Sequence, residues 1–329
     1  MSYYSEQDGD IPEKVRAHAH LSLVVDDIRD VVRTKTVLTD DSIETKITSV
    51  TVAVYSMDGT LVEKKYLTAG FDDIRYMLDY DETFAVYAVA NMGDMRASFP
   101  SSITGDGSLE GMVYSIPGYT SGDDCINARG IPMAGKLVFT TASDGSAAEG
   151  QIVMTRLMSK LQMHLACHWP GTFQSVKIFN LNRALKPFGL SSAVAESDIL
   201  DQQEIHIPEA GAREGEFLFY IPENRQGSIP DIASPEEKSR DNEAVTGTDL
   251  KTYLEVVVAG DASAGINGTL TYRSYLGGNN SSDFNIVRNS RYVWSVDYYS
   301  GHLQNNDWKH HNALSWKEFE YSFSVPSYL

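Results

Sequence analysis

Few residues in this chain have both the type and the spacing that chemistry demands. Gly260 to Gly265 reads GDASAG, with Ser263 set among small residues as in a nucleophile elbow. That elbow needs glycine two positions before the serine, where Asp261 stands, so the stretch reads as a hairpin turn. His164 and His168 are four apart, but no glutamate follows the first. In the alternating segment SKLQMHLAC this spacing puts both on one solvated strand face. His310 and His311 follow Trp308 in a polar connection, where a surface metal site is the alternative to plain solvation. His18 and His20 share the polar face of an early strand. The acidic pieces VDDIRD, LTDDS and TGDGS lack the spaced oxygen ligands and closing glutamate of a calcium loop and read as solvated turns. Cys167 is in phase with Leu161, Met163 and Leu165 as a small core hydrophobe, and a disulfide to Cys125 stays open. No cofactor is implied, and the search for an enzyme's machinery fails.

The elements that would hold such residues are strands. Val15, Ala17, Ala19, Leu21, Leu23 and Val25 alternate with Arg16, His18, His20 and Ser22, which gives one apolar and one polar face. ITSVTVAVYS repeats the pattern, and Asp58-Gly59 signals a hairpin before TLVEKKYL. Similar runs recur to the end of the chain, where Phe319, Tyr321, Phe323 and Val325 alternate with Glu320, Ser322 and Ser324. One short amphipathic helix is expected in GFDDIRYML. Many short strands separated by Gly, Asn, Asp and Pro predict an all-β protein built of β-sandwiches. A length of 329 residues suits two domains, cut near the small-residue tract ASDGSAAEG into 1–148 and 149–329. Gln226 to Asp249, rich in charge and proline, is expected to be a long surface loop.

The formal net charge of −18 argues against nucleic acid or an anionic membrane surface as partner, because both need clustered Lys and Arg. No apolar run approaches the roughly 18 residues that a spanning helix requires. The residues after Met1, SYYSEQDGDIPEK, have neither the basic nor the apolar segment of a signal peptide, so an exported precursor would carry a leader not seen here.

Several segments together resemble the Bacteroidales fimbrillin family, the subunits of type V pili. They are IPMAGK (131–136), MTRLMSKLQMHL (154–165), FYIPENRQG (219–227), TYLEVVV (252–258), GTLTYRSYLGGNNSSDFNIVRNSRYVWSV (268–296) and Asp307-Trp308. The C-terminal half carries most of the likeness. Each segment also has a plain scaffold reading, such as a strand with Phe217, Phe219 and Ile221 on one face that stops at Pro222.

The resemblance implies two tandem transthyretin-like β-sandwich domains, exported through the outer membrane as a lipoprotein precursor to a cell-surface fimbrium. It implies that a protease cuts the loop after the first strand, and that the C-terminal strand of the next subunit then fills the vacated groove by strand addition. On this chain the removable strand would be Val15 to Val25, Arg29 and Arg33 the candidate cleavage sites, and Glu318 to Val325 the donor. Burying Phe319, Tyr321, Phe323 and Val325 would contribute roughly 6–12 kcal/mol at about 1.5–3 each, partly offset by ordering entropy. Without the resemblance, the last strand would simply complete its own sandwich, and both arginines would be ordinary surface residues. Partners would be other fimbrial subunits, with the membrane reached only through a lipid anchor. Asp41 to Ile43, DSI, resembles a bacterial O-glycosylation consensus.

Two rivals differ in class. A tip adhesin or basal anchor of the same pilus would bind a host glycan or protein. A secreted β-sandwich hydrolase would need paired carboxylates facing a groove, which alternation alone cannot reveal.

Overall fold

The computed structural model describes residues 16–26, 41–117, 129–144, 146–205, 211–234, 237–238, 243–246, 250–264, 268–279, 281–298 and 322–324. In chain order the first elements are β1 (Arg16–Val25), α1 (Asp41–Thr45), β2 (Val50–Ser56), β3 (Leu61–Leu67), β4 (Ile74–Asp79), β5 (Thr83–Ala90), β6 (Tyr114–Ser115), β7 (Met133–Thr140) and β8 (Ala148–Arg156). There follow β9 (Met158–Cys167), β10 (Gly171–Asn182), β11 (Ala184–Leu185), β12 (Ile199–Ile205), β13 (Glu214–Pro222) and β14 (Asn224–Ser228). The last are α2 (Glu243–Thr246), β15 (Tyr253–Gly260), β16 (Thr269–Tyr275), β17 (Asp283–Ile286), β18 (Arg291–Tyr298) and β19 (Ser322–Ser324). The protein is all-β. No helix among the described residues is long and apolar enough to cross a membrane.

Alternation in sequence becomes alternation in burial. The first sheet runs β3-β2-β5-β7-β8-β1-β4. Its β7–β8 joint is made by only two residue pairs, Met133 with Arg156 and Ala134 with Thr155, so the sheet folds over there. Leu21, Ile74 and Ile152 from one half thereby meet Val52, Val86 and Met133 from the other in one core. Two further sheets, β12-β10-β15-β16 and β13-β9-β18-β19, enclose a second core, where Val176, Leu254 and Val256 face Leu161, Phe219 and Tyr292. These are β-sandwich layers, each buried on its inward face.

The second core extends onto the outer face of β2 and β5. Tyr87 meets Tyr55 edge-on, with ring centroids 5.9 Å apart, and Phe188 edge-on at 5.2 Å. The tract expected to divide the halves opens β8, which is hydrogen-bonded into the first sheet, and the chain enters the next sheet only after Leu157.

Three expectations are corrected. The segment GFDDIRYML contains a strand rather than a helix. Ile74, Tyr76 and Leu78 are buried while Arg75 and Met77 are exposed, because β4 lies along β1 and period two wins over a short helical pattern. The tract 226–249 is more than surface loop: β14 starts it, and Ile232, Lys238 and Val245 are buried within it. His168 lies beyond the end of β9, so it does not share a strand face with His164.

The GDASAG turn is as expected. Asp261 Oδ1 accepts from the Ser263 amide at 2.8 Å and its hydroxyl at 2.6 Å, in the turn that follows β15.

Candidate functional site

The first strand has the strongest claim to function because of how it is seated. Ala17, Ala19 and Leu21 are fully buried, and Leu23 and Val25 pack partly buried against the same core. Small residues stand opposite large ones: Ala17 faces Leu78 and Ala19 faces Tyr76 across the antiparallel pairing with β4. On its other edge β1 runs parallel to β8, from Ala19 beside Ala148 to Val25 beside Met154. Leu21 lies beside Gly150, where an added Cβ would come within 2.8 Å of the Leu21 side chain and 2.7 Å of Leu137. The glycine makes the room that the leucine fills. Both edges of β1 are hydrogen-bonded, so without it β4 and β8 would each present an open edge beside an apolar cleft.

On the solvent side, Arg16, His18 and His20 border a cavity with Glu63, Lys65 and Arg75. His20 Nδ1 lies 2.9 Å from Asp73 Oδ1, and Arg75 Nε donates to Asp73 Oδ2 at 2.7 Å. The Arg75 hydrogen bond, assisted by that from His20, holds the Asp73 carboxyl below the usual carboxylate range. Among the described residues no group of three His, Cys, Asp or Glu side chains is placed to hold a metal ion. His164 instead lies 3.4 Å from Glu214 on the neighbouring strand. Cys167 is a free, buried thiol whose pKa is pushed up by burial.

The end of β1 runs into a buried polar cluster. The Asp26 amide donates to the Met154 carbonyl at 2.9 Å. Arg156 Nη1 donates to the Asp26 carbonyl at 2.9 Å and to Asn289 Oδ1 at 3.1 Å, and its Nε donates to the Glu44 carbonyl at 2.8 Å. Asn289 Nδ2 returns to Asp26 Oδ2 at 3.1 Å. The Glu44 carboxylate pairs with the Lys160 ammonium and accepts from the Tyr220 hydroxyl at 2.8 Å. Glu44, Arg156 and Lys160 are all buried. Charges this deep persist only because each finds a partner.

A second hub lies among β13, β14 and the turn before β18. The Glu223 carboxylate is fully buried, pairs with Arg288, receives Arg225 Nε at 3.0 Å and accepts from the Ser191 amide at 2.9 Å. Burial alone would raise its pKa, but the hydrogen bonds and charge of Arg288, with lesser help from Ser191 and Arg225, hold it below the usual range. Arg288 also donates to the carbonyls of Lys186 at 2.9 Å and Pro187 at 3.1 Å, fixing that loop.

Other expected site residues fall outside the described residues: Val15, Arg29, Arg33, Phe319, Tyr321 and Val325, as do His310, His311 and Cys125. Phe323 lies in β19, which pairs parallel with β18 at the edge of its sheet, Phe323 beside Val296. Sequence reasoning missed both polar clusters. Their residues lie far apart in the chain, and the only local hints were charged side chains inside strand-like runs, such as Lys160 in SKLQMHLAC.

Comparison with known proteins agrees with this architecture. Residues 219–296 match the family model described as "Domain of unknown function (DUF4906)", a span that includes Glu223 and Arg288. No curated protein matches the chain. Among solved structures, a protein of Parabacteroides distasonis provisionally assigned to cell adhesion superposes with a TM-score of 0.57 at 11% identity, covering 92% of this chain and 97% of that one. The tip fimbrial protein Mfa3 of Porphyromonas gingivalis, with a C-terminal truncation, gives 0.53 at 13% identity over 85% and 94%. A fimbrilin of the same organism gives 0.50 at 16% identity over 89% and 98%. The chain therefore has the fold of Bacteroidales fimbrial and cell-adhesion proteins.

Proposed function

We propose that this protein is a structural subunit of a cell-surface fimbrium, made of two tandem β-sandwich units that meet after Leu157. It polymerises by strand exchange. β1 fills a slot in the first unit, a cut after Arg29 or Arg33 permits its removal, and residues 318–325 of the next subunit take its place. The observation that carries this reading is the seat of β1, hydrogen-bonded on both edges with Ala17, Ala19 and Leu21 fully buried, in a fold shared with fimbrial proteins. A strand so placed is a plug, since its departure exposes a cleft that a second alternating strand can fill. The partners are other subunits of the same appendage, and export as a lipoprotein precursor accompanies the role.

Limited trypsin digestion of the full chain, followed by size-exclusion chromatography, tests the reading. Cutting after Arg29 or Arg33 is expected to yield multimers, and the Arg29→Gln/Arg33→Gln/Lys35→Gln variant, which has no trypsin site left in that segment, should stay monomeric. Cut chains that lose β1 yet remain monomers would overturn it.

A further inference from the structure

Arg156 touches the chain on both sides of residues 27–40. Its guanidinium donates to the carbonyl of Asp26, one residue past β1, and to the carbonyl of Glu44 in α1. Severing the backbone anywhere between those points breaks none of these bonds. Nor does it break the contacts beneath them, where Glu44 is held by Lys160 and Tyr220 and Asp26 by Met154 and Asn289. A guanidinium suits this task because its planar fork reaches several carbonyls at once and never loses its charge.

We propose that Arg156 is a clasp that keeps β1 seated after the chain between Asp26 and Glu44 has been cut. The inference rests on the reading of β1 as a removable plug and adds the control on its removal. Arg156 is buried, so taking Asp26 away strips one acceptor from a charge that water cannot readily reach. β1 therefore leaves when a competing strand displaces it, and not when the backbone is cut. The clasp also reaches the turn before β18. Asn289, at φ +52°, sits in the turn that feeds β18, and its amide donates to the Met158 carbonyl at 2.9 Å. β18 is the strand on which β19 lies. When β1 departs, Asn289 loses the Asp26 carboxylate, so opening of the slot and loosening of the turn before β18 are one event.

The test uses the full chain with a unique protease site inserted within residues 30–36, so that cutting does not depend on Arg29 or Arg33. After complete cutting, an excess of synthetic peptide spanning residues 15–26 is added, and loss of the original β1 fragment is followed by native mass spectrometry. The unmodified chain should retain its fragment until competitor is present. Arg156→Gln should release it at least about tenfold faster. Asn289→Gly tolerates the positive φ, leaves Arg156 in place and removes only the carboxamide, so it gives a second reading that does not depend on the folding of Arg156→Gln. It should speed release roughly two- to tenfold, the effect of one net hydrogen bond. Spontaneous loss of β1 from the unmodified cut chain, or an unchanged rate in Asn289→Gly, overturns the clasp. Slow release dependent on Asn289 from chains that never multimerise supports the clasp and overturns strand exchange.

Discussion

Two buried carboxylates among the described residues, Glu223 and Glu44, solve the same electrostatic problem for different ends. Glu223 draws its partners from one neighbourhood: Arg225 two residues on, Arg288 across the β14–β17 pair, and the Ser191 amide of a loop that Arg288 also binds. Its cluster fixes how the ends of β13 and β14 and the turn before β18 meet the loop around Ser191. Glu44 gathers Lys160 and Tyr220 from distant strands, while Arg156 joins its carbonyl to Asp26 and Asn289. This cluster joins the end of β1 and α1 to strands on both sides of Leu157. A buried ion pair adds little net stability over an apolar replacement, but breaking it leaves an unpaired charge and costs a great deal. The difference teaches that one cluster specifies geometry locally, whereas the other ties β1 to its surroundings.

The contrast can be broken most forcefully at Glu223. Glu223→Ala strands Arg288 and Arg225 and orphans the Ser191 amide, and should lower stability by about 3–5 kcal/mol in urea unfolding. A loss below about 1 kcal/mol would mean the hub is ornamental. Lys160→Met leaves Glu44 with the Tyr220 hydroxyl and should cost roughly 2–4 kcal/mol. Combined with Glu44→Gln, part of that loss should return, because no buried charge is then unpaired, and a double-mutant cycle reads the coupling directly.

Packing without charge gives the next effect. Gly150→Ala forces a methyl against Leu21 and Leu137 and should cost about 1–3 kcal/mol. Proteolysis at the end of β1 should rise in this variant but not in Glu223→Gln, which separates the packing of β1 from the Glu223 hub. The smallest effect is in acid. The folded pKa of Glu223 lies below its unfolded value, so its contribution is present above the unfolded carboxylate pKa of about 4.3 and lost as pH falls through the folded one. Urea midpoints at pH 6 and pH 3 should differ less in Glu223→Gln than in the parent chain.

Much of the fold was legible because strand alternation is local. Ala17, Ala19 and Leu21 read as an inward face and are one, and GDASAG read as a turn and is one. The segment around Ile74 misled because a six-residue strand offers too few periods to separate 2.0 from 3.6, and the decision came from pairing with β1. The tract after Gln226 misled because its charges suggested solvent, yet Lys238 is buried. There its ammonium donates to the carbonyls of Asn279 at 2.8 Å and Asp283 at 2.6 Å, and burial pushes its pKa down to about 7. The inward face of β1 was visible in its own pattern. The clasp was not, because no local period announces that Asp26, Glu44, Arg156 and Asn289 will meet.

The parallel alignment of β1 with β8 has a consequence for biogenesis. Ala19 beside Ala148 is a pairing that no hairpin can make, and its partner strand is synthesised long after β1 itself. β1 must therefore wait, unpaired along that border, until β8, the last strand of its sheet in chain order, has been translated. Its antiparallel partner β4 is made far earlier, so the two borders of one strand close at different stages of synthesis.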